Sequence, residues 1–328
     1  MRRPLLLTAL ASVCLMAATL SLMIGTASLP PARLLATLAG ADDPVARIIL
    51  FELRLPRAIL GLSVGAMLGA AGAALQGYLR NPLAEPSVLG ASSAAALGAV
   101  IALYFGLAAI HPALLPACAI AATLIGLCAL VLFAGRSESP LTLILAGIAI
   151  STLAGAGISL ALNLSPNPFA AMEITSWLLG SLEDRSFDHV RIALPCIVVG
   201  LALLLWNSRA LDALTLGEDA ARSLGVDLHG LRARLLLGVA IGVGGAVAVS
   251  GAIGFVGLIV PHLIRPLTDR TPGAVLLPSA LGGAALLMLA DVAVRLIPAS
   301  SELRLGVVTA FLGVPVFLLH LLRERRLW

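Results

Sequence analysis

Apolar runs long enough to cross a bilayer recur along the whole chain, and they constrain its fold more than any single motif. Breaks at charges, prolines and polar clusters separate ten such runs, at residues 5–27, 57–79, 87–110, 113–134, 141–163, 190–206, 233–249, 251–264, 274–297 and 305–322. About 20 apolar residues in a helix cross a ~30 Å hydrocarbon core. Inside that core every backbone N–H and C=O must find its partner within the protein. The pattern therefore predicts an all-α membrane protein of about ten transmembrane helices. Charged residues make up only 12% of the 328, against roughly 25% in soluble domains, so little is left over for a separate soluble unit.

The first run follows two arginines, as a secretory leader would, but it stays free of charge from Leu5 to Ala32. That exceeds a leader's apolar core and suffices to span, so we read it as a retained first helix. An even number of spans puts both termini on one side. All 21 basic residues are arginine, and this topology places 13 of them on the side of the termini and 8 on the other, which makes the first side cytoplasmic. The outer arginines then need a reason of their own. Cys14, Cys118, Cys128 and Cys196 lie in apolar runs without metal-ligand spacing and read as packing residues. No arginine-and-aromatic stripe suggests a nucleic acid.

Two stripes of small residues predict close helix packing. Gly61, Gly65, Gly69, Ala73 and Gly77 recur every fourth residue in the second run, and Gly238, Gly242, Ala246, Ser250 and Gly254 do so from the seventh. The second and seventh runs echo each other, as do the fifth and tenth. A five-helix unit repeated once must be inverted, because an odd number of crossings reverses direction, and inverted repeats are a transporter signature.

One segment breaks the apolar pattern. "LDALTLGEDAARSLGVDLHGLRAR", Leu211–Arg234, carries four acids and three arginines on the side assigned to the cytoplasm. Glu218 and Asp219 suit a helix N-terminus, Glu218 and Arg222 can pair at i, i+4, Gly225 can stop the helix, and Asp227 can cap the next one. Leu214, Leu216, Ala221, Leu224 and Val226 stay apolar with nothing in the chain to cover them. The segment reads either as a solvated loop or as a docking element for a partner that moves the spans. The chain has no G-x-x-x-x-G-K-[ST] phosphate loop and no evident mid-membrane relay of acids, so energy has to come from elsewhere.

"GEDAARSLGV" at Gly217–Val226 resembles the coupling segment of ABC importer permeases of the FecCD family, which carry iron-siderophores, haem or cobalamin. "LRLPRAILGLSVGAMLGAAGAALQGYLRNPLAEPSVLG" at Leu53–Gly90, "SGAIGFVGLIVPHLIR" at Ser250–Arg265 and "ELRLGVVTAFLGVPVFLLHLLR" at Glu302–Arg323 resemble other parts of the same family. The four lie in the right order and cover most of the chain. The resemblance implies a type II ABC importer permease: one transmembrane permease domain over residues 1–328, two inverted five-helix repeats, and a cytoplasmic coupling segment at 211–230. It implies that a second copy of the chain, two ATP-binding subunits and a periplasmic substrate-binding protein assemble with it in a bacterial inner membrane. ATP and Mg would be bound by the partner, with no cofactor, metal or catalytic residue in this chain.

The same resemblance assigns residue roles. Leu216, Gly217, Glu218, Ala221, Arg222, Leu224 and Gly225 would seat in the ATPase. Arg54, Arg57 and Arg295 match arginines that meet glutamates of the docked binding protein, whereas the residues alone allow interfacial snorkelling for the first two and an i, i+4 pair with Asp291 for the third. Ser139 and Thr142 fall near the family's inner gate. The expected cargo is an iron chelate, haem or a ferric siderophore, with cobalamin as the alternative. Two further readings compete: an ion-coupled secondary transporter, which needs mid-membrane carboxylates, and a membrane hydrolase using a serine of "GASS" at Gly90–Ser93. Gln76 and Asn81 read as turn and cap residues, His262 as structural, and Pro166–Leu182 as a short outer helix.

Overall fold

The computed structural model describes residues 3–25, 29–135, 139–297 and 302–324, and all regular structure among them is helical. The helices are α1 (Arg3–Met23), α2 (Pro31–Leu38), α3 (Pro44–Ile48), α4 (Leu55–Leu79), α5 (Ala91–Tyr104), α6 (Leu107–Ile110), α7 (Leu114–Ala134) and α8 (Pro140–Asn163). There follow α9 (Pro168–Leu178), α10 (Phe187–Trp206), α11 (Ser208–Leu214), α12 (Glu218–Ser223), α13 (Leu228–Ser250), α14 (Val256–Ile264), α15 (Pro272–Leu296) and α16 (Leu305–Glu324). Each of the ten expected spans contains one of α1, α4, α5, α7, α8, α10, α13, α14, α15 or α16. Of the arginines counted to the inner side, Arg2, Arg136, Arg325 and Arg326 lie outside the described residues.

Among the described residues seven of these helices are long and apolar enough to cross a membrane, and α5 and α14 are shorter apolar ones. The shortfall has a local cause. The third run is broken at Gly90, which adopts φ 77° after a short 3-10 turn over Pro86–Leu89. The eighth is broken over Gly251–Phe255, where Gly251 has φ 68° and Phe255, a side chain forced into the left-handed region, also has φ 68°. The seventh run starts five residues earlier than its hydropathy suggests, because Asp227 Oδ1 accepts from Gly230 N at 3.0 Å and caps α13 there. Arg232 is therefore in the helix, not before it.

The two small-residue stripes are backbone seams. A Cβ on Gly65 would strike the Gly283 carbonyl of α15, and one on Gly69 would strike that of Ser279. On α13, Gly238 and Gly242 meet Gly200 of α10, where an added Cβ would come within 2.6 Å of the Gly242 Cα and 2.8 Å of the Gly238 carbonyl. These contacts put α4 and α13 at the centre of the bundle, enclosed along most of their length. The packing also repeats: α4 lies on α15 and α14 as α13 lies on α7 and α5, and α5 meets α8 as α14 meets α16. Exchanging the second span for the seventh, the fourth for the ninth, and so on maps one set onto the other, as two inverted five-helix repeats require.

Gln76 carries more than a turn role. Its side chain is buried, donates to the Gly257 and Leu258 carbonyls at 3.3 and 3.2 Å, and accepts from Arg265 Nη2 at 3.0 Å. It thus supplies a donor to the Gly257 carbonyl, whose i+4 partner, Pro261, has no N–H. Asn81 keeps the expected turn, with Oδ1 accepting from Leu83 N at 2.9 Å. The short outer helix is α9, capped by Asn167, whose Oδ1 accepts from Ala170 N at 2.9 Å.

Candidate functional site

At one end of the bundle α11 and α12 form a polar foot. Gly217 enters α12 with φ 105° and Gly225 leaves it with φ 83°, conformations that cost an L side chain but not glycine. Val226 N donates to the Ala221 carbonyl at 3.0 Å and Gly225 N to that of Arg222 at 2.9 Å, the paired bonds of a glycine-terminated helix. Arg222 reaches Asp219 at 3.4 Å. Ala221 is buried under α12, whereas Leu216 and Leu224 at its two ends are 68% and 64% exposed. Two leucines held out beside a six-residue helix are a surface that its own chain leaves open.

The foot is tied to the bundle by residues that sequence reasoning passed over. Asp212 Oδ1 accepts from Gly273 N at 2.7 Å and so caps α15. Arg80, itself left-handed at φ 49°, donates from Nη2 to the Leu214 carbonyl at 2.8 Å. Arg234 Nε donates to Asn207 Oδ1 at 3.0 Å. Displacing α11 and α12 therefore pulls on α4, α15 and α13 together. Spacing alone gives no signal for these contacts, which join residues 27 to 134 positions apart.

The opposite end holds a buried arginine knot. Arg54 donates from Nη1 to the Leu22 and Met23 carbonyls at 2.8 and 2.9 Å. Arg295 donates from Nη1 to the Ser21 and Ile24 carbonyls at 3.0 and 2.7 Å. Both arginines thus cap the C-terminus of α1, where unpaired carbonyls and the helix dipole favour a cation. Asp291 is shared: Arg57 Nη2 reaches one oxygen and Arg295 Nη2 the other, each at 2.8 Å. Arg57 also pairs with Glu302, its Nη1 donating to Oε2 at 3.1 Å.

The side chain of Arg57 is 12% exposed and that of Arg295 2%, and Arg54 is buried as well. The structure turns all three guanidinia toward groups of this chain. The physical reason is desolvation: a charge at a span end is buried only when carboxylates or helix carbonyls compensate it. Of the eight arginines assigned to this end, seven engage this chain's own groups, the others being Arg33 on Asp43, Arg185 on His189, Arg191 on Asp188 and Arg304 on Glu183. Arg185, in the loop before α10, has its pKa pulled down by burial.

A cavity of about 300 Å³ lies where the two broken runs meet. Glu85, Ser87, Ser92, Ser93, Gly155 and Ile158 line one side, and Ala252, Ile253, Gly254, Phe255 and Gly257 the other. Ser92 and Ser93 therefore face open space instead of packing. Among the described residues no histidine lines this cavity. Asp291, the carboxylate that an ion-coupled mechanism would need, is locked between two arginines. Ser139 precedes α8 and is exposed, and Thr142 sits half-buried in its first turn. No cluster of three or more potential metal ligands occurs among the described residues.

Comparison with known proteins places this geometry. Residues 13–323 match the model of the FecCD transport family. The chain is 42% identical over 292 residues to the uncharacterized ABC transporter permease YvrB of Bacillus subtilis, covering 88% of this chain and 82% of the relative. It is 42% identical over 285 residues to the cobalamin import system permease BtuC of Halobacterium salinarum, covering 85% and 74%. To the vitamin B12 import system permease BtuC of Vibrio cholerae it is 41% identical over 278 residues, covering 84% and 83%. Among solved structures, a metal-chelate type ABC transporter in an inward-facing conformation superposes with a TM-score of 0.86 at 33% identity, covering 96% of this chain and 97% of that one.

Proposed function

The chain belongs to the FecCD transport family and is a permease of an ABC importer of that type, not an enzyme; from this premise we propose that it moves a metal chelate from periplasm to cytoplasm across a bacterial inner membrane. Residues 1–328 act as one permease domain, with both termini cytoplasmic. It pairs with a second copy, two ATP-binding subunits that hold ATP and Mg, and a periplasmic binding protein. The observation that carries this reading is the foot of the bundle: Leu216 and Leu224 stand exposed on either side of α12 in a chain that carries no phosphate loop. Residues 211–230 seat in the ATPase, and the ties through Asp212, Arg80 and Arg234 pass its motion to the spans.

Co-expression with the ATP-binding subunit tests this directly. The chain alone should hydrolyse no ATP, and Leu216→Asp with Leu224→Asp should abolish co-purification while the spans still insert. Normal co-purification and uptake by that double variant would reduce the segment to a loop.

At the outer end, Arg54, Arg57 and Arg295 meet acidic groups of the binding protein by exchanging or sharing the internal partners they hold in the free chain. Conversion of each to Gln, with melting temperature and binding-protein capture read on the same preparation, separates the two roles. Capture that falls by more than stability does supports docking; capture that simply follows stability makes the arginines internal ties alone. Ser139 and Thr142 are assigned to the inner gate.

The relatives named as cobalamin permeases at 41–42% identity favour a corrinoid cargo. The iron chelate expected from the sequence stands as the second reading, supported by the likeness to a metal-chelate type transporter. Uptake of labelled cyanocobalamin, haem and a ferric siderophore by cells with and without this permease decides between them. No dependence for any of the three refutes both cargos.

A further inference from the structure

We propose that Glu85 is a specificity-determining residue of the transport path: beside the cavity of about 300 Å³ it accepts neutral or cationic groups of a chelate and disfavours carboxylates. The inference rests on the reading of this chain as a permease and concerns which chelate it passes. Hydropathy leaves Glu85 outside the third run, which starts at residue 87, but the packing carries it inward. Leu68, which lines the same cavity, stands near the middle of α4, about 16 Å from its inner end at ~1.5 Å per residue. A Cβ on Gly257 would come within 3.0 Å of the Leu68 carbonyl and 3.2 Å of Pro86 Cδ, so the turn after Glu85 reaches the same depth. Half of a ~30 Å hydrocarbon core is about 15 Å. Glu85 is therefore an acid near the middle of the membrane, where an ionisable side chain is costly and marks a path.

The acid is fixed in place and open on one side. Val88 N donates to the Glu85 carbonyl at 3.0 Å, Ser87 Oγ donates to Glu85 Oε1, and Ser151 Oγ of α8 donates to the Ser87 carbonyl at 3.0 Å. Among the described residues no hydrogen bond engages Glu85 Oε2 or the hydroxyls of Ser92 and Ser93. No arginine or histidine among them lines the cavity, and the chain has no lysine. An entering carboxylate therefore meets a like charge and finds no counter-ion there, whereas an amide finds both acceptors and hydroxyl donors. A charge set against the wrong ligand discriminates as well as a contact with the right one. The volume admits one peripheral group of a large chelate, so the choice falls on what its rim carries. The carboxamides of a corrinoid suit it, and free carboxylates such as the propionates of haem do not.

A test independent of the cargo uses the full-length permease assembled with its ATPase, with Ser93→Cys as reporter. Modification of that thiol by a cationic and by an anionic methanethiosulfonate is followed by mass spectrometry, each rate taken relative to free cysteine. The cationic reagent should lead by at least about tenfold, the factor that ~1.4 kcal/mol of discrimination gives. Glu85→Gln should remove most of that lead and Glu85→Asp keep it. Should Ser93→Cys fail to fold, Ser92→Cys repeats the measurement. Equal rates, a lead that survives Glu85→Gln, or no reaction at either position overturns the proposal. Uptake into proteoliposomes with ATP and equally loaded binding protein then compares cyanocobalamin with a monocarboxylate made by hydrolysing one of its amides, and haem with its dimethyl ester. Within whichever pair is carried, the neutral member should be favoured and Glu85→Gln should narrow the gap; equal uptake within a carried pair overturns the proposal. Uptake of neither pair would refute the cargo reading, while the thiol rates still decide the role of Glu85.

Discussion

The two ends of this bundle treat their charged and apolar groups in opposite ways. At the outer end, three arginines and two carboxylates are buried together, and the guanidinia take up the open carbonyls of α1, so the charge is closed on itself. At the inner end, α12 leaves Leu216 and Leu224 in the open and an ion pair, Arg222 with Asp219, on the surface. A closed network stabilises the chain that contains it, whereas an open apolar surface stabilises only a complex. In the free chain the outer knot ties α1, α4, α15 and the approach to α16 together, whereas the foot leaves its leucines uncovered.

Asp291→Ala attacks the closed end and should have the largest effect. It leaves Arg57 and Arg295 without their shared counter-charge, and breaking a buried pair this way costs about 3–5 kcal/mol. Thermal melting in detergent should register it, and melting like that of the wild type would show the knot to be water-filled. Gly69→Leu is next: its side chain has to displace the Ser279 carbonyl, an overpacking worth about 1–3 kcal/mol. A stable variant there would mean that the α4–α15 seam can open at no cost. Leu216→Ser with Leu224→Ser should move stability by no more than about 0.5 kcal/mol, the usual range for exposed positions, while weakening ATPase capture. A larger fall in melting temperature would show that the leucines pack within the chain after all. Arg222→Ala should leave melting unchanged, since exposed pairs contribute little, and a measurable shift would place the foot with the buried network.

The ten spans and both glycine stripes are legible because they obey a local period: hydrophobicity over about 20 residues, and small residues every fourth. The foot is legible for the same reason, since Gly217, Gly225 and Asp227 act on their immediate neighbours. Hydropathy, however, cannot see a helix break whose residues stay apolar. Phe255 in a left-handed conformation and the early start of α13 at Leu228 were therefore both misplaced. The arginine knot was half visible. Arg295 and Asp291 share a helix face, but Arg57 meets Asp291 across 234 positions and Glu302 across 245, a distance that only the packed bundle closes.

The seam between α4 and α15 has a mechanical consequence. Where Gly65 meets Gly283 and Gly69 meets Ser279, backbone touches backbone, and neither helix can slide or roll without driving a carbonyl into its neighbour. The two behave as one stiff beam, pinned at its outer tip by Asp291 and at its base by Asp212 and Arg80. A pull on the foot then tilts the beam as a whole, and the flexing that any change of access requires has to occur elsewhere. Helix α8 mixes the two characters: at Gly147 its backbone touches that of Val88 and Leu89, whereas beside the cavity a Cβ on Gly155 would meet no heavy atom within 4 Å, so the wall there is not closed by backbone contact.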